Sequence, residues 1–392
     1  MTSIAKRLSK TVRDLPPSGI RRFFDLASQM QDVISLGVGE PDFVTPWHVR
    51  EASIYALERG YTSYTANAGL LDLRREISRY LQKFQLEYDP ETEILVTVGG
   101  SEAIDLALRT LLDPGEEVLI PEPTYVSYRP CAVLAGGVPV GVPTGRSDDF
   151  KLTREALAKP LSKRSKVLIM SYPNNPTGAV MEEADLQGVA ELARERDFFV
   201  VSDEIYAELS YVSPHHSIAA MPGMKERTVL VSGFSKAYAM TGWRVGYVAA
   251  PRDIMQQLMK IHQYTILCAP VMGQMAALEA LQKGDAERVR MVESYNERRR
   301  LIVGGLKRIG LDCHEPKGAF YAFPSIQSTG LTAEAFAEGL LHEGRVAVVP
   351  GHVFGDSGEG FIRASYATSV DHIERALERM DRFVNTRLPQ GV

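Results

Sequence analysis

From Ile94 to Ala250 the chain repeats one pattern: a short apolar run, a turn, then a longer stretch with apolar residues at helical spacing. The apolar runs are ILVTV from Ile94, Val118–Ile120, Val138–Val142, KVLIM over Lys166–Met170, Phe198–Ser202, Thr228–Val231 and Tyr247–Ala250. Between them lie SEAIDLALRTLL, a helical stretch to Ala135, a helix from Thr153 and another over Glu182–Arg196. Strands alternating with helices indicate an α/β fold, whose ligands gather at the carboxyl ends of the strands.

Composition bounds the function. With 392 residues, 45% hydrophobic, 24% charged and a net charge of −5, the chain reads as a soluble globular protein long enough for two domains. A mildly acidic balance argues against a nucleic-acid partner. The start, MTSIAKRLSKTVRDLPPSG, is basic and polar without a signal-peptide core, and no later run is apolar enough to span a membrane. Cys131, Cys268 and Cys313 are too few and too scattered for a disulfide framework or a zinc site, and fit a reducing cytoplasm. Neither GxGxxG nor a P-loop occurs, which speaks against nicotinamide or ATP cofactors.

Several residues carry chemistry. Lys236 sits among Gly233, Ser235, Ala237 and Ala239, which leave room for a planar ligand at its amine, and Arg244 follows eight positions later. Asp203 ends an apolar strand, where a carboxylate needs a cationic partner. Gly99–Gly100 opens a helix and so offers free N–H groups and the positive helix end to an anion. Taken singly, each has an ordinary reading: a surface lysine, a turn asparagine before Pro176, an N-cap at Ser101.

Taken together they resemble the class I and II pyridoxal-phosphate aminotransferases. SGFSKAYAMTGWRVG (Ser232–Gly246) matches the lysine signature of that family at Gly233, Ser235, Lys236, Gly242, Arg244 and Gly246. ISLGVGEPDFVTP, YTSYTANAGLLDL, PEPTYVSY, NPTG at Asn175, the DExY segment at Asp203–Tyr206, KGAFYAFP, PGHVFG and EGFIRASYA follow in family order, so the likeness runs from about Ser18 to Ala367. It implies a fold type I PLP-dependent transferase: a mostly parallel sheet flanked by helices in a large domain over residues 46–285, and a smaller α+β domain from 1–45 and 286–392.

The resemblance also implies roles. Lys236 carries pyridoxal 5′-phosphate as a Schiff base and, once freed, is the catalytic base; Asp203 pairs with the ring nitrogen and Tyr206 with the phenolic oxygen. Gly100, Ser101 and Glu102 give backbone groups to the phosphate, with Ser235 and Arg244 beside them. Ser232 is the candidate substitute where the family often has a serine and this chain has Gly233. Tyr125 lies on the ring face and Asn175 at the phenolic oxygen, before a cis Asn175–Pro176 bond. Tyr64 reaches the phosphate of the neighbouring subunit, making a homodimer with composite sites. Gly39, Asn175 and Arg363 hold the substrate carboxylate. Ile20, Arg21 or Arg22 on the helix expected over Ser18–Ser28, and Arg109, are candidates for the substrate side chain.

The implied reaction moves an amino group from an L-amino acid to a 2-oxo acid, 2-oxoglutarate as acceptor, by a ping-pong route. The likeness is greatest to the branch of broad-specificity aromatic and aspartate aminotransferases and acetyl-diaminopimelate aminotransferases. A carbon–sulfur β-lyase would share the cofactor residues and release pyruvate. A sensor built on the same domain would need an added DNA-binding module, for which no residues are left over.

Overall fold

A computed structural model describes residues 4–17 and 19–387. Its centre is a seven-stranded sheet built from Ile94–Thr97, Glu117–Glu122, Val138–Pro143, Ser165–Ser171, Phe199–Asp203, Thr228–Gly233 and Gly246–Ala249. By first residue, the strands lie in the order 94, 246, 228, 199, 165, 117, 138. Neighbours are parallel except around Gly246–Ala249, which runs antiparallel to both of its partners. The mostly parallel α/β sheet expected from the alternation is therefore present.

Period-two geometry explains why these strands are apolar throughout. Val118, Ile120, Val167, Ile169, Val201, Val229 and Val231 face one core, shared with the helix Gly99–Leu111. Their neighbours in sequence, Leu119, Leu168, Met170 and Val200, face another core, shared with the helix Glu183–Arg196. A strand covered by helices on both faces has no polar side to show.

The same topology collects one end of each strand. Ser171 pairs with Asp203, and Asp203 with Val231, so these carboxyl ends share one edge. Ile94–Thr97 and Thr228–Gly233 both run antiparallel to Gly246–Ala249, so the turn after Thr97 emerges at that edge too.

Glycines allow the close approach there. A Cβ on Gly246 would lie 2.7 Å from the Gly99 carbonyl carbon, 2.8 Å from the Gly100 nitrogen and 3.0 Å from the Ser232 oxygen, all backbone atoms. A Cβ on Gly233 would lie 2.8 Å from the Gly246 Cα. This explains the missing family serine, because position 233 has no room for a side chain.

A second, three-stranded antiparallel sheet places Ile362–Ser365 between Val349–Pro350 and Tyr321–Ala322. Ile34–Ser35 pairs in parallel with Val346–Ala347, which ties the N-terminal segment to the C-terminal third. The helix expected over Ser18–Ser28 spans Gly19–Ser28; Ser18 lies outside the described residues. The long helical region after Arg252 is three helices, Arg252–Thr265, Val271–Lys283 and Asp285–Arg308, with Pro270 and Gly284 at the breaks. Asn175–Pro176 is cis, as the resemblance implied; Glu122–Pro123 and Tyr172–Pro173 are cis as well and carried no signal in the sequence reading. Among the described residues no helix is long and apolar enough to cross a membrane.

Replacing Gly246 by alanine should lower stability by about 1–3 kcal/mol, because backbone, not a movable side chain, occupies the space. Urea unfolding of the cofactor-free variant reads this directly; an unchanged midpoint would mean that the two strands and the turn after Thr97 part freely.

Candidate active site

A cavity of about 460 Å³ opens at the shared carboxyl edge. Lys236, Asp203 and Tyr206 line it, together with Gly100, Ser101, Ser235, Arg244, Gly39, Asn175, Arg363 and Tyr125. Thirty-three residues separate Asp203 from Lys236, yet adjacent parallel strands deliver both to one place.

Lys236 follows the strand Thr228–Gly233. Its Nζ donates to the Gly39 carbonyl at 2.7 Å and lies 5.9 Å from the ring centroids of both Tyr206 and Phe320. Burial pulls the amine down to about 8; Glu40 opposes this, and Arg363 reinforces it. A lysine so placed is close to neutral in mildly alkaline water and can act as nucleophile or base.

Asp203 is 7% exposed. Its Oδ2 accepts from the Tyr128 hydroxyl at 2.7 Å, and its Oδ1 from the Ile205 N–H at 3.2 Å. Burial raises the carboxyl to about 6, against the lowering effect of those two hydrogen bonds. The cavity thus holds a weakened base and a weakened acid together, a pairing that burial makes and active sites use.

Arg363 stands on the strand Ile362–Ser365 and is 2% exposed. Its Nη1 donates to Asn175 Oδ1 at 2.8 Å and its Nη2 to the Gly37 carbonyl at 2.6 Å, with the guanidinium 4.4 Å over the Tyr321 ring. Its Nε is buried without a hydrogen-bond partner, and no carboxylate pairs with it among the described residues. A buried cation held only by neutral groups is suited to an anion.

The first turn of the helix Gly99–Leu111 supplies Gly100 and Ser101 to the wall. The helix starts at Gly99 and its N-cap is Val98, so Ser101 is not the cap. Arg244, in the left-handed conformation at φ 54°, donates to the Thr241 carbonyl and lays its guanidinium against Gly99.

Three expectations meet a different geometry. Glu102 does not line the cavity. The Val98 carbonyl takes its N–H as the first intrahelical bond, and its carboxylate turns back to the Val98 N–H and to His262. Ser232 donates to the Glu204 carbonyl at 3.2 Å, away from the cavity, so it does not replace the missing serine. Arg109 pairs with Asp105 at 2.8 Å on an exposed helix face. Tyr64, whose expected role concerns a neighbouring subunit, is 82% exposed in a separate surface groove with Tyr61 and Leu71. Ile20 does line the cavity, whereas the side chains of Arg21 and Arg22 lie outside the described residues.

Sequence reasoning missed Tyr128 and Tyr321. Tyr321 shares a 2.7 Å hydrogen bond with Tyr206, whose hydroxyl burial raises well above its ordinary value. Tyr128 begins the helix Tyr128–Leu134, and its ring meets that of Tyr125 edge to face at 5.6 Å.

A mostly parallel α/β sheet with a buried lysine, acid and guanidinium at its carboxyl edge has the architecture of a fold type I aminotransferase. The family model described as aminotransferase class I and II matches residues 31–380, and the chain belongs to that family. A Bacillus subtilis (strain 168) relative, named no more specifically than as an aminotransferase, is 56% identical over 379 residues, covering 96% of this chain and 98% of its own. The aromatic-amino-acid aminotransferase 2 of Thermococcus litoralis is 42% identical, with 97% and 99% covered. Among solved structures, the aspartate aminotransferase of Thermus thermophilus with maleate superposes with a TM-score of 0.92 at 38% identity, covering 96% of this chain and 99% of that one. The protein is a transaminase.

The raised Asp203 carboxyl has a consequence for stability. From below pH 3.8 up to about 6 the unfolded chain ionises this group before the folded one does, so the folded state loses stability across that window. Asp203→Asn should therefore stabilise the cofactor-free protein at pH 7 by on the order of 2–3 kcal/mol, and by nothing at about pH 3. Urea unfolding at the two pH values decides it; equal effects at both would refute the assignment.

Proposed function

We propose that the chain works as a homodimeric pyridoxal-phosphate enzyme of the cytoplasm that transfers the amino group of an L-amino acid to 2-oxoglutarate. The observation that carries this reading is the buried Lys236 amine, which desolvation lowers to about 8, in one cavity with the buried Asp203 carboxyl and the buried Arg363 guanidinium.

The residues present suit the cofactor. Lys236 would hold its aldehyde carbon and Asp203 its ring nitrogen, with Tyr206 and Asn175 at the phenolic oxygen and Tyr125 on the ring face. The N–H groups of Gly100 and Ser101, the Ser235 hydroxyl and Arg244 would hold the phosphate, a helix N-terminus and a guanidinium being suited to an anion. When bound, the cofactor supplies an electrophilic carbon for amines and a ring that withdraws electrons from the α-carbon of the amino acid.

The chain's own residues do the rest. Arg363 and Asn175 take the α-carboxylate, with Gly39 beside it, which fixes the amino acid in one orientation. Lys236 Nζ then takes the proton from the α-carbon, a task for which an amine near 8 is better matched than an ordinary lysine. Asp203, a carboxylate once a cationic nitrogen sits beside it, keeps that nitrogen protonated. The amino group would stay on the bound cofactor while one water releases the carbon skeleton as a 2-oxo acid, and a second 2-oxo acid, held by Arg363 and Asn175 in the same way, would then take the amino group up.

We assign residues 46–285 to a large domain and 1–45 with 286–392 to a small one. Support for the dimer comes from exposed aromatic side chains, Trp47, Tyr55, Tyr61, Tyr64 and Tyr264, two of which, Tyr61 and Tyr64, line one groove. Three unpaired cysteines agree with a reducing compartment. The names of the relatives put aromatic, aspartate and acetyl-diaminopimelate donors in the field, and Arg109, held by Asp105, is not a candidate for their side chains.

A screen of amino donors with 2-oxoglutarate should give glutamate formation with the wild type and none with Lys236→Ala. Pyruvate release from cysteine or cystathionine without glutamate would instead support a β-lyase. Tyr64→Phe, or dilution below the dimer's dissociation constant, should weaken cofactor retention. Retention unchanged in both would overturn the composite site.

A further inference from the structure

His262, on the helix Arg252–Thr265, is fully buried, and the chemistry above makes no use of it. Its Nε2 lies 3.0 Å from the Asn67 carbonyl oxygen and its Nδ1 2.6 Å from Glu102 Oε1. A carbonyl only accepts, so Nε2 carries a hydrogen, while Nδ1 and the carboxylate hold a second hydrogen between them. The other Glu102 oxygen accepts from the Val98 N–H. One imidazole thus joins three segments: its own helix, the opening turn of the helix Gly99–Leu111, and the loop that contains Tyr64.

That loop is fastened to the same region by further bonds. Asn67 Nδ2 donates to the Leu267 carbonyl at 2.8 Å. Gln274, fully buried, accepts from the Leu70 N–H at 2.7 Å and donates to Thr65 Oγ1 at 3.1 Å. The His262–Glu102 contact carries this network into the first turn of the helix.

The consequence falls on Gly100 and Ser101. Their N–H groups precede the first intrahelical bond, so the seating of the turn from Val98 to Glu102 sets where they point. Glu102 seats that turn on Val98, and His262 holds Glu102. Without the imidazole, one oxygen of a buried carboxylate would lose its partner and the turn would relax to satisfy it.

We propose that His262 is a positioning residue for the anion cradle: through Glu102 it aims the Gly100 and Ser101 N–H groups at the cofactor phosphate, while its other nitrogen holds the Tyr64 loop. The inference rests on the pyridoxal-phosphate reading above. It predicts a loss specific to the phosphate, which general loosening of the fold would not produce.

The test compares pyridoxal phosphate with pyridoxal, which lacks the phosphate, by absorbance titration of the full-length cofactor-free protein. His262→Phe keeps the volume of the ring and removes both hydrogen bonds. It should raise the dissociation constant for pyridoxal phosphate by about tenfold or more, and that for pyridoxal by less than about twofold. Glu102→Ala breaks the same link from the other side and should behave alike, so it carries the test if His262→Phe does not fold by circular dichroism. Equal losses for the two ligands, or none for either, would overturn the proposal while leaving the cofactor reading intact. A wild type that binds neither ligand would overturn both.

Discussion

The site depends on a contact with no side chain in it. Gly246 lies so close to Gly99, Gly100 and Ser232 that a single methyl group would collide with backbone on both sides. This approach sets the opening of the helix Gly99–Leu111 against the strand that leads to Lys236, so the first turn of that helix and the lysine amine share a wall. Two antiparallel pairings, an exception in an otherwise parallel sheet, make the approach possible. The glycines at 99, 233 and 246 are therefore requirements of packing as well as marks of a motif.

Charge in the cavity follows from burial rather than from pairing. The surface of the protein is laced with ion pairs such as Arg109 with Asp105 and Arg75 with Asp72, each between groups that water already solvates. Inside, Lys236 and Arg363 make their hydrogen bonds to carbonyl and amide oxygens, and Asp203 accepts from a tyrosine. Burial outweighs the opposing charges, Glu40 and Asp203 for the lysine and Lys236 for the acid, and so pushes the lysine down and the acid up. The unpaired state is costly, and it is what makes the groups responsive to a charged ligand.

Much of this was legible in the sequence because short motifs carried it. The strand ends at Asp203 and before Lys236, the glycine turn after Thr97 and the asparagine before Pro176 could each be placed from turn chemistry and apolar runs. What could not be read were consequences of three-dimensional closeness. Glu102 looked like one more residue of the cradle, whereas the helix begins early enough that its N–H is already used. Ser232 looked like a spare hydroxyl, and strand pairing turns it toward Glu204. Tyr128 and Tyr321 sit inside recognised segments, but their hydrogen bonds to Asp203 and Tyr206 span 75 and 115 residues, which no local pattern encodes.

Arg363 draws its two neutral partners from different layers: Asn175 follows a strand of the seven-stranded sheet, and Gly37 belongs to the segment after Ile34–Ser35, while the arginine itself rises from the three-stranded sheet. The guanidinium is thus a pivot on which three independently supported pieces of backbone converge. Any sliding of one layer over another would splay its donors, so the two hydrogen bonds of the guanidinium report how well the two sheets are aligned. A fixed direction for those donors and a settled arrangement of the layers are, at this arginine, one and the same condition.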